Sequence, residues 1–117
     1  MEYFASSNGS SWDICKGDVG SGTDARGNQN NITAGEWHHF AWSRNSSGDY
    51  DAFVDGLLDF HHTDSTSLYS TGNYAWNWGN WFHSANGYGF IGNLDNMRVF
   101  NRNLSTDEVR QLYLRHS

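Results

Sequence analysis

Gly35-Glu36-Trp37-His38-His39-Phe40-Ala41-Trp42-Ser43-Arg44, the turn Asn45-Ser46-Ser47-Gly48-Asp49 and the return Tyr50-Asp51-Ala52-Phe53-Val54-Asp55-Gly56 form the stretch that decides the fold. Two runs rich in aromatic and branched residues, separated by turn-forming residues that include a glycine, predict a β-hairpin. Alternation assigns the faces. On the first strand Trp37, His39, Ala41 and Ser43 point one way and His38, Phe40, Trp42 and Arg44 the other, so the strand is expected to be covered on both sides. On the second, Tyr50, Ala52 and Val54 make an apolar face, while Asp49, Asp51, Phe53 and Asp55 share an opposite face that is at least partly wet.

Outward from the hairpin, residues 57–63 continue as a short strand, and residues 64–73 are a polar connection. Upstream, residues 2–5 and 11–15 predict a second hairpin around Asn8-Gly9. Residues 16–31 are Gly, Asp, Asn and Ser with almost no apolar side chain, which predicts a surface loop. Within it Gly20-Ser21-Gly22-Thr23-Asp24 matches part of a calcium-binding nonapeptide repeat, but one copy has no neighbour with which to share metal sites. Downstream, Tyr74, Trp76 and Trp78 alternate on one strand face until Gly79 breaks it, leaving Trp81 and Phe82 in a loop. Residues 88–100 alternate through Asp95, Met97 and Val99 on one side and Leu94, Asn96, Arg98 and Phe100 on the other, predicting a long strand. Then Ser105 as N-cap and Glu108 at N3 make a capping box, with Leu104 and Val109 as its hydrophobic staple. Val109, Leu112 and Tyr113 form a one-sided stripe that would dock this helix.

Composition narrows the class. The chain has 117 residues, enough for one domain, 1–117, with a real core. Thirteen glycines, six tryptophans, no proline and 17% charged residues fit a turn-rich β protein rather than a bundle or a disordered tail. Seven basic residues against a net charge of −6 offer no footprint for neutralising phosphates, so nucleic acid is not an expected partner. No apolar run is long enough for a membrane span, and the amino terminus carries no signal-like segment, so no membrane partner and no address are expected. Cys15 is single, which excludes an internal disulfide and a cysteine zinc site.

The Trp-His-His-Phe strand, the Phe-Val-Asp-Gly strand, the Trp-Gly strand, and Gly92-Asn93-Leu94-Asp95-Asn96-Met97-Arg98-Val99-Phe100 leading to a capped helix stand in an order that resembles the laminin-G-like jelly roll of the concanavalin A-like lectin and glucanase superfamily, with pentraxins as relatives. The resemblance spans residues 11–114. It implies an all-β fold, a two-sheet antiparallel jelly-roll sandwich with one short C-terminal helix, in an extracellular or virion-associated setting. Members carry several strands before the position of Trp12, so the chain is expected to be an N-terminally reduced version whose open sheet edge is covered by another copy or another chain. Pentraxin-type calcium sites use a carboxylate-rich loop, and residues 80–89 contain no Asp or Glu, so that double site is not carried over.

The densest aromatic cluster supplies the candidate ligand-binding residues Asn80, Trp81, Phe82, His83, Asn86 and Tyr88. Flat rings cover the apolar faces of pyranoses while amides bond their hydroxyls. Trp76 and Trp78, by their alternation, are instead expected in the core. The histidine pairs His38-His39 and His61-His62, with His83, invite a metal, but adjacent strand residues point to opposite faces and offer one ligand per side. Asp49, Asp51 and Asp55 fit either calcium or a solvated face. Asp95, flanked on its side by Met97 and Val99, needs a partner if its carboxylate is ionised among apolar neighbours; it and Asp51 are the candidate metal residues. Catalysis lacks its residues: superfamily glucanases set carboxylates about 5 Å apart through Glu-x-Asp-x-x-Glu, which is absent here. No Gly-x-Ser-x-Gly elbow frames a serine either. The expectation is a non-catalytic lectin-like module for carbohydrate or a protein surface, needing no cofactor and holding at most one structural calcium. The alternative is an assembly domain that forms oligomers through an exposed sheet edge.

Overall fold

The computed structural model describes residues 2–5, 12–16, 23–26, 32–63 and 92–116. Among the described residues the regular structure is two three-stranded antiparallel sheets and one helix. The first sheet contains β1 (Glu2–Ala5), β2 (Trp12–Lys16) and β3 (Thr23–Arg26) in that order. Tyr3 stands opposite Ile14, which in turn stands opposite Ala25. The expected hairpin of residues 2–15 is present within a residue of its predicted bounds. The expected loop over residues 16–31 is corrected, since it contains β3: a sheet edge needs backbone pairing more than apolar side chains, and Thr-Asp-Ala-Arg supplies the first without the second.

The second sheet has β4 (Phe40–Arg44), β5 (Asp49–Val54) and β6 (Leu57–Thr63), with β5 central. Its first turn is closed by Asn45. The Asn45 side-chain oxygen accepts the N–H groups of Ser47 at 2.9 Å and Asp49 at 3.1 Å, while Gly48 takes the left-handed conformation, φ 95°, that completes the reversal. Asp55 and Gly56, with φ 52° and 74°, make the second turn, the two-residue kind in which both positions need positive φ. Asp-Gly here is a hairpin turn rather than the tail of a strand. Ala52 pairs with Phe60 but Phe53 with Leu58, so Asp59 is the extra residue of a bulge in β6.

Tyr50, Ala52 and Val54 form the buried cluster predicted for one face of β5, with Ile32, Trp42 and Phe60 packed against it. His62, directly opposite Tyr50, tilts its ring against the phenol at a centroid distance of 5.1 Å. The opposite face is not simply wet: Phe53 is fully buried there, and full burial of such a ring contributes about 1.5–3 kcal/mol. Ser43 stands on that same side, opposite Asp51, and ties it to the chain ahead of the helix: its hydroxyl donates to Leu104 O at 2.8 Å and accepts from Leu104 N at 2.6 Å. The helix α1 (Thr106–His116) packs against β6 and buries Val109 completely.

Three expectations need correction. β4 starts at Phe40, not near Gly35, because Gly35 at φ 87° bends the chain and His38 is drawn sideways to Thr33 and Asp55. The strand is therefore not covered on both sides along its length; Trp37 is 70% exposed and Phe40 43%. Residues 92–100 form no strand: Asp95 bonds the N–H of Asn96 at 2.7 Å and Asn96 adopts φ 53°, a local closure that competes with a ladder. Asp95 consequently stands on an exposed segment rather than among apolar neighbours, with Met97 and Val99 exposed beside it.

Candidate functional site

The candidate ligand residues Asn80, Trp81, Phe82, His83, Asn86 and Tyr88 lie outside the described residues, as do Tyr74, Trp76 and Trp78. Three polar assemblies and one groove can be built from the described ones.

At the Asp55-Gly56 turn, Asp55 closes a network that the alternation of β5 did not reveal, because Asp55 belongs to the turn and not to the strand face. Its Oδ2 meets His38 Nδ1 at 2.8 Å, its Oδ1 accepts the N–H of His39 at 2.9 Å, and its own N–H reaches His39 O at 2.8 Å. The other ring nitrogen of His38 accepts the N–H of Thr33 at 2.9 Å and lies 3.2 Å from Thr33 O. The imidazole thus has a partner at Nε2 in either protonation state: the Thr33 N–H when neutral, the Thr33 carbonyl when charged. Hydrogen bonding to Asp55 raises the His38 pKa above its ordinary value against the opposing pull of burial.

Across β5 and β6, Asp49, Asp51, His61 and Thr63 share one face by register. His61 Nδ1 and Asp51 Oδ1 are 2.6 Å apart, and that bond raises the His61 pKa. Asp49 is held below the usual carboxylate range by Asn45 first and Thr63 second. Asp51 is therefore engaged by a histidine and Asp95 by a backbone N–H, and Asp55 is spent on its turn. Among the described residues no group of three or more His, Cys, Asp and Glu side chains is placed to hold a metal.

The third assembly starts the helix. Ser105 N donates to Glu108 Oε2 at 2.8 Å and Glu108 N to Ser105 Oγ at 3.2 Å, the reciprocal capping box expected from Ser-Thr-Asp-Glu. Arg102 adds a fork: Nη2 to Oε1 at 2.7 Å and Nη1 to Oε2 at 3.0 Å. Arg102 first and the Ser105 backbone second push the Glu108 pKa down to about 2.

Between the outer edge of β4, at residues 42–44, and the segment 98–104 runs an open groove of about 390 Å³. Trp42 and Arg44 line one wall, and Arg98, Phe100, Asn101 and Asn103 contribute to the other. Sequence reasoning read residues 88–100 as a long strand and so did not find this groove. The signal available was the spacing Arg98, Phe100, Arg102 on one stretch.

A search of curated proteins returns no match. Among solved structures, the crystal structure of residues 221–444 of an S-layer domain-containing protein from Clostridium thermocellum ATCC 27405 is similar, with a TM-score of 0.53 and 21% identity over 88% of this chain. The chain spans about half of that structure, 50% of its length, and at this identity the likeness speaks to fold alone. The family model of the concanavalin A-like lectin/glucanases superfamily matches residues 2–110, so the likeness begins at β1 rather than near residue 11. With nearly the whole chain inside that match, this protein belongs to the concanavalin A-like lectin/glucanases superfamily.

Proposed function

We propose that this chain is a single-domain, non-catalytic recognition module whose two sheets pack as a sandwich and which binds carbohydrate or a protein surface. Family membership over residues 2–110 is the observation that carries the reading. The aromatic and amide residues Asn80, Trp81, Phe82, His83, Asn86 and Tyr88 are the proposed ligand contacts, in a sequence that lacks the paired carboxylates of the superfamily's glucanases. A glycan array followed by titration of the folded chain and of Trp81→Ala tests it: binding that falls at least tenfold in the variant supports the reading, and a folded chain that binds no glycan removes its carbohydrate form.

Assembly is the second reading, favoured by exposed apolar side chains. Trp37 is 70% exposed, Leu57 65% and Val99 72%, and large exposed apolar groups are a mark of surfaces that a partner covers. The solved relative is an S-layer domain-containing protein, which supports an extracellular or surface setting for this chain; no helix among the described residues is long and apolar enough to cross a membrane. Light scattering at high concentration separates the two: a strictly monomeric particle argues against assembly with itself. We further propose at most one structural calcium. Filling a site at 100 times its dissociation constant adds about 2.7 kcal/mol, so identical melting curves in millimolar calcium and in excess chelator would exclude it.

A further inference from the structure

We infer that the groove along the β4 edge is a binding site for an acidic saccharide, a sugar ring carrying a carboxylate or sulfate, with Arg98 as the principal anion contact. The inference rests on the recognition reading and adds to it a ligand class and contacts at residues 42–44 and 98–104.

Composition makes the groove unusual. The chain has seven basic residues against thirteen acidic ones, yet Arg44, Arg98 and Arg102 all line this one groove and, among the described residues, no carboxylate does. Arg102 is engaged bidentately by Glu108. Arg98 is exposed and, among the described residues, forms no ion pair. A planar guanidinium offers a fork of N–H donors that matches the paired oxygens of a carboxylate or sulfate.

The remaining walls suit a sugar better than a bare ion. Phe100 is 44% exposed and presents an aromatic ring to the groove, Trp42 adds apolar surface on the strand side, and the amides of Asn101 and Asn103 offer both donors and acceptors for hydroxyls. A volume of about 390 Å³ lies at the small end of the range for small-molecule sites. Long-range steering cannot draw an anion to a chain of net charge −6. Contact must supply the affinity, within a screening length of about 8 Å at physiological salt, and added salt should weaken it.

The test titrates the full chain, by calorimetry, with a uronic-acid disaccharide, a sulfated disaccharide, the matching neutral disaccharide and inorganic sulfate. Wild type is compared with Arg98→Ala and Arg98→Lys; Arg98 is exposed, so its variants should fold, which circular dichroism checks. The expected result is at least a tenfold preference for an acidic disaccharide over the neutral one. Arg98→Ala should lose that preference, and Arg98→Lys should keep part of it. Equal affinity for acidic and neutral sugars, or a preference that survives Arg98→Ala, overturns the inference while leaving the recognition reading standing. Inorganic sulfate binding as tightly as the sulfated sugar also overturns it, since the groove would then hold an ion only. No binding of any glycan by the folded chain overturns both.

Discussion

Gly56 answers two separate demands. Its φ of 74° disfavours any side chain, and a Cβ built there would stand 3.0 Å from Tyr113 Cδ1, at the face of the helix that lies over the turn. Gly35 shares the first demand, with φ 87°, but has nothing within 4 Å of its missing Cβ. Gly35→Ala should therefore cost about 1–2 kcal/mol, the left-handed penalty alone, and Gly56→Ala measurably more; equal urea midpoints for the two would show that the Tyr113 contact carries no weight. His38 makes a titration prediction. Its pKa is raised in the folded state by Asp55, so its contribution to stability is fully present below the ordinary histidine value near 6.5 and is lost as pH rises through the higher folded value. In Asp55→Asn, the His38 ring followed by NMR should titrate at lower pH than in wild type. An unchanged midpoint would contradict the assignment of the shift to Asp55.

At the scale of elements, the helix was legible because its signals are local: Ser105, Glu108, Leu104 and Val109 lie within six consecutive residues, and the capping bonds form as that spacing requires. Ser105→Ala should cost about 0.5–2 kcal/mol through the lost bond to Glu108 N, lowering the melting temperature by a few degrees. Glu108 adds an acid-side dependence: its pKa is depressed to about 2, so its contribution is present above the ordinary glutamate value and disappears as pH falls toward 2. Strand β5 was legible on the face of Tyr50, Ala52 and Val54, where alternation and burial agree. On the face read as at least partly wet, the three aspartates stay partly exposed while Phe53 is fully buried; Ser43 on that side bonds Leu104, 61 residues along the chain, and such a contact leaves no trace in local pattern. Phe53→Ala should cost about 3–5 kcal/mol by chemical denaturation, and a loss below 1 kcal/mol would place that face back in solvent. The strand expected over 88–100 failed within its described part for the opposite reason, since Asp95 and Asn96 satisfy each other locally where alternation assumed a partner strand.

Over the whole molecule, two antiparallel sheets, a capped helix and a family match from residue 2 to residue 110 give a scaffold on which recognition is a matter of surface residues. The aromatic set at 80–88 was visible in sequence because rings in a Gly- and Asn-rich loop stand out by composition. The groove along β4 was harder to read, since the spacing of Arg98, Phe100 and Arg102 marks one wall and only folding joins it to the other. The proposed contacts at 80–88 and the groove both bear on the central proposal, that this chain recognises glycans through aromatic and polar side chains on a β scaffold. Backbone amide chemical-shift mapping during addition of a bound glycan tests it most directly. The account predicts shifts at residues 80–88 and, for acidic sugars, at 42–44 and 98–104, with Tyr50, Ala52 and Val54 unmoved; saturating glycan that shifts no amide of the folded chain would contradict it.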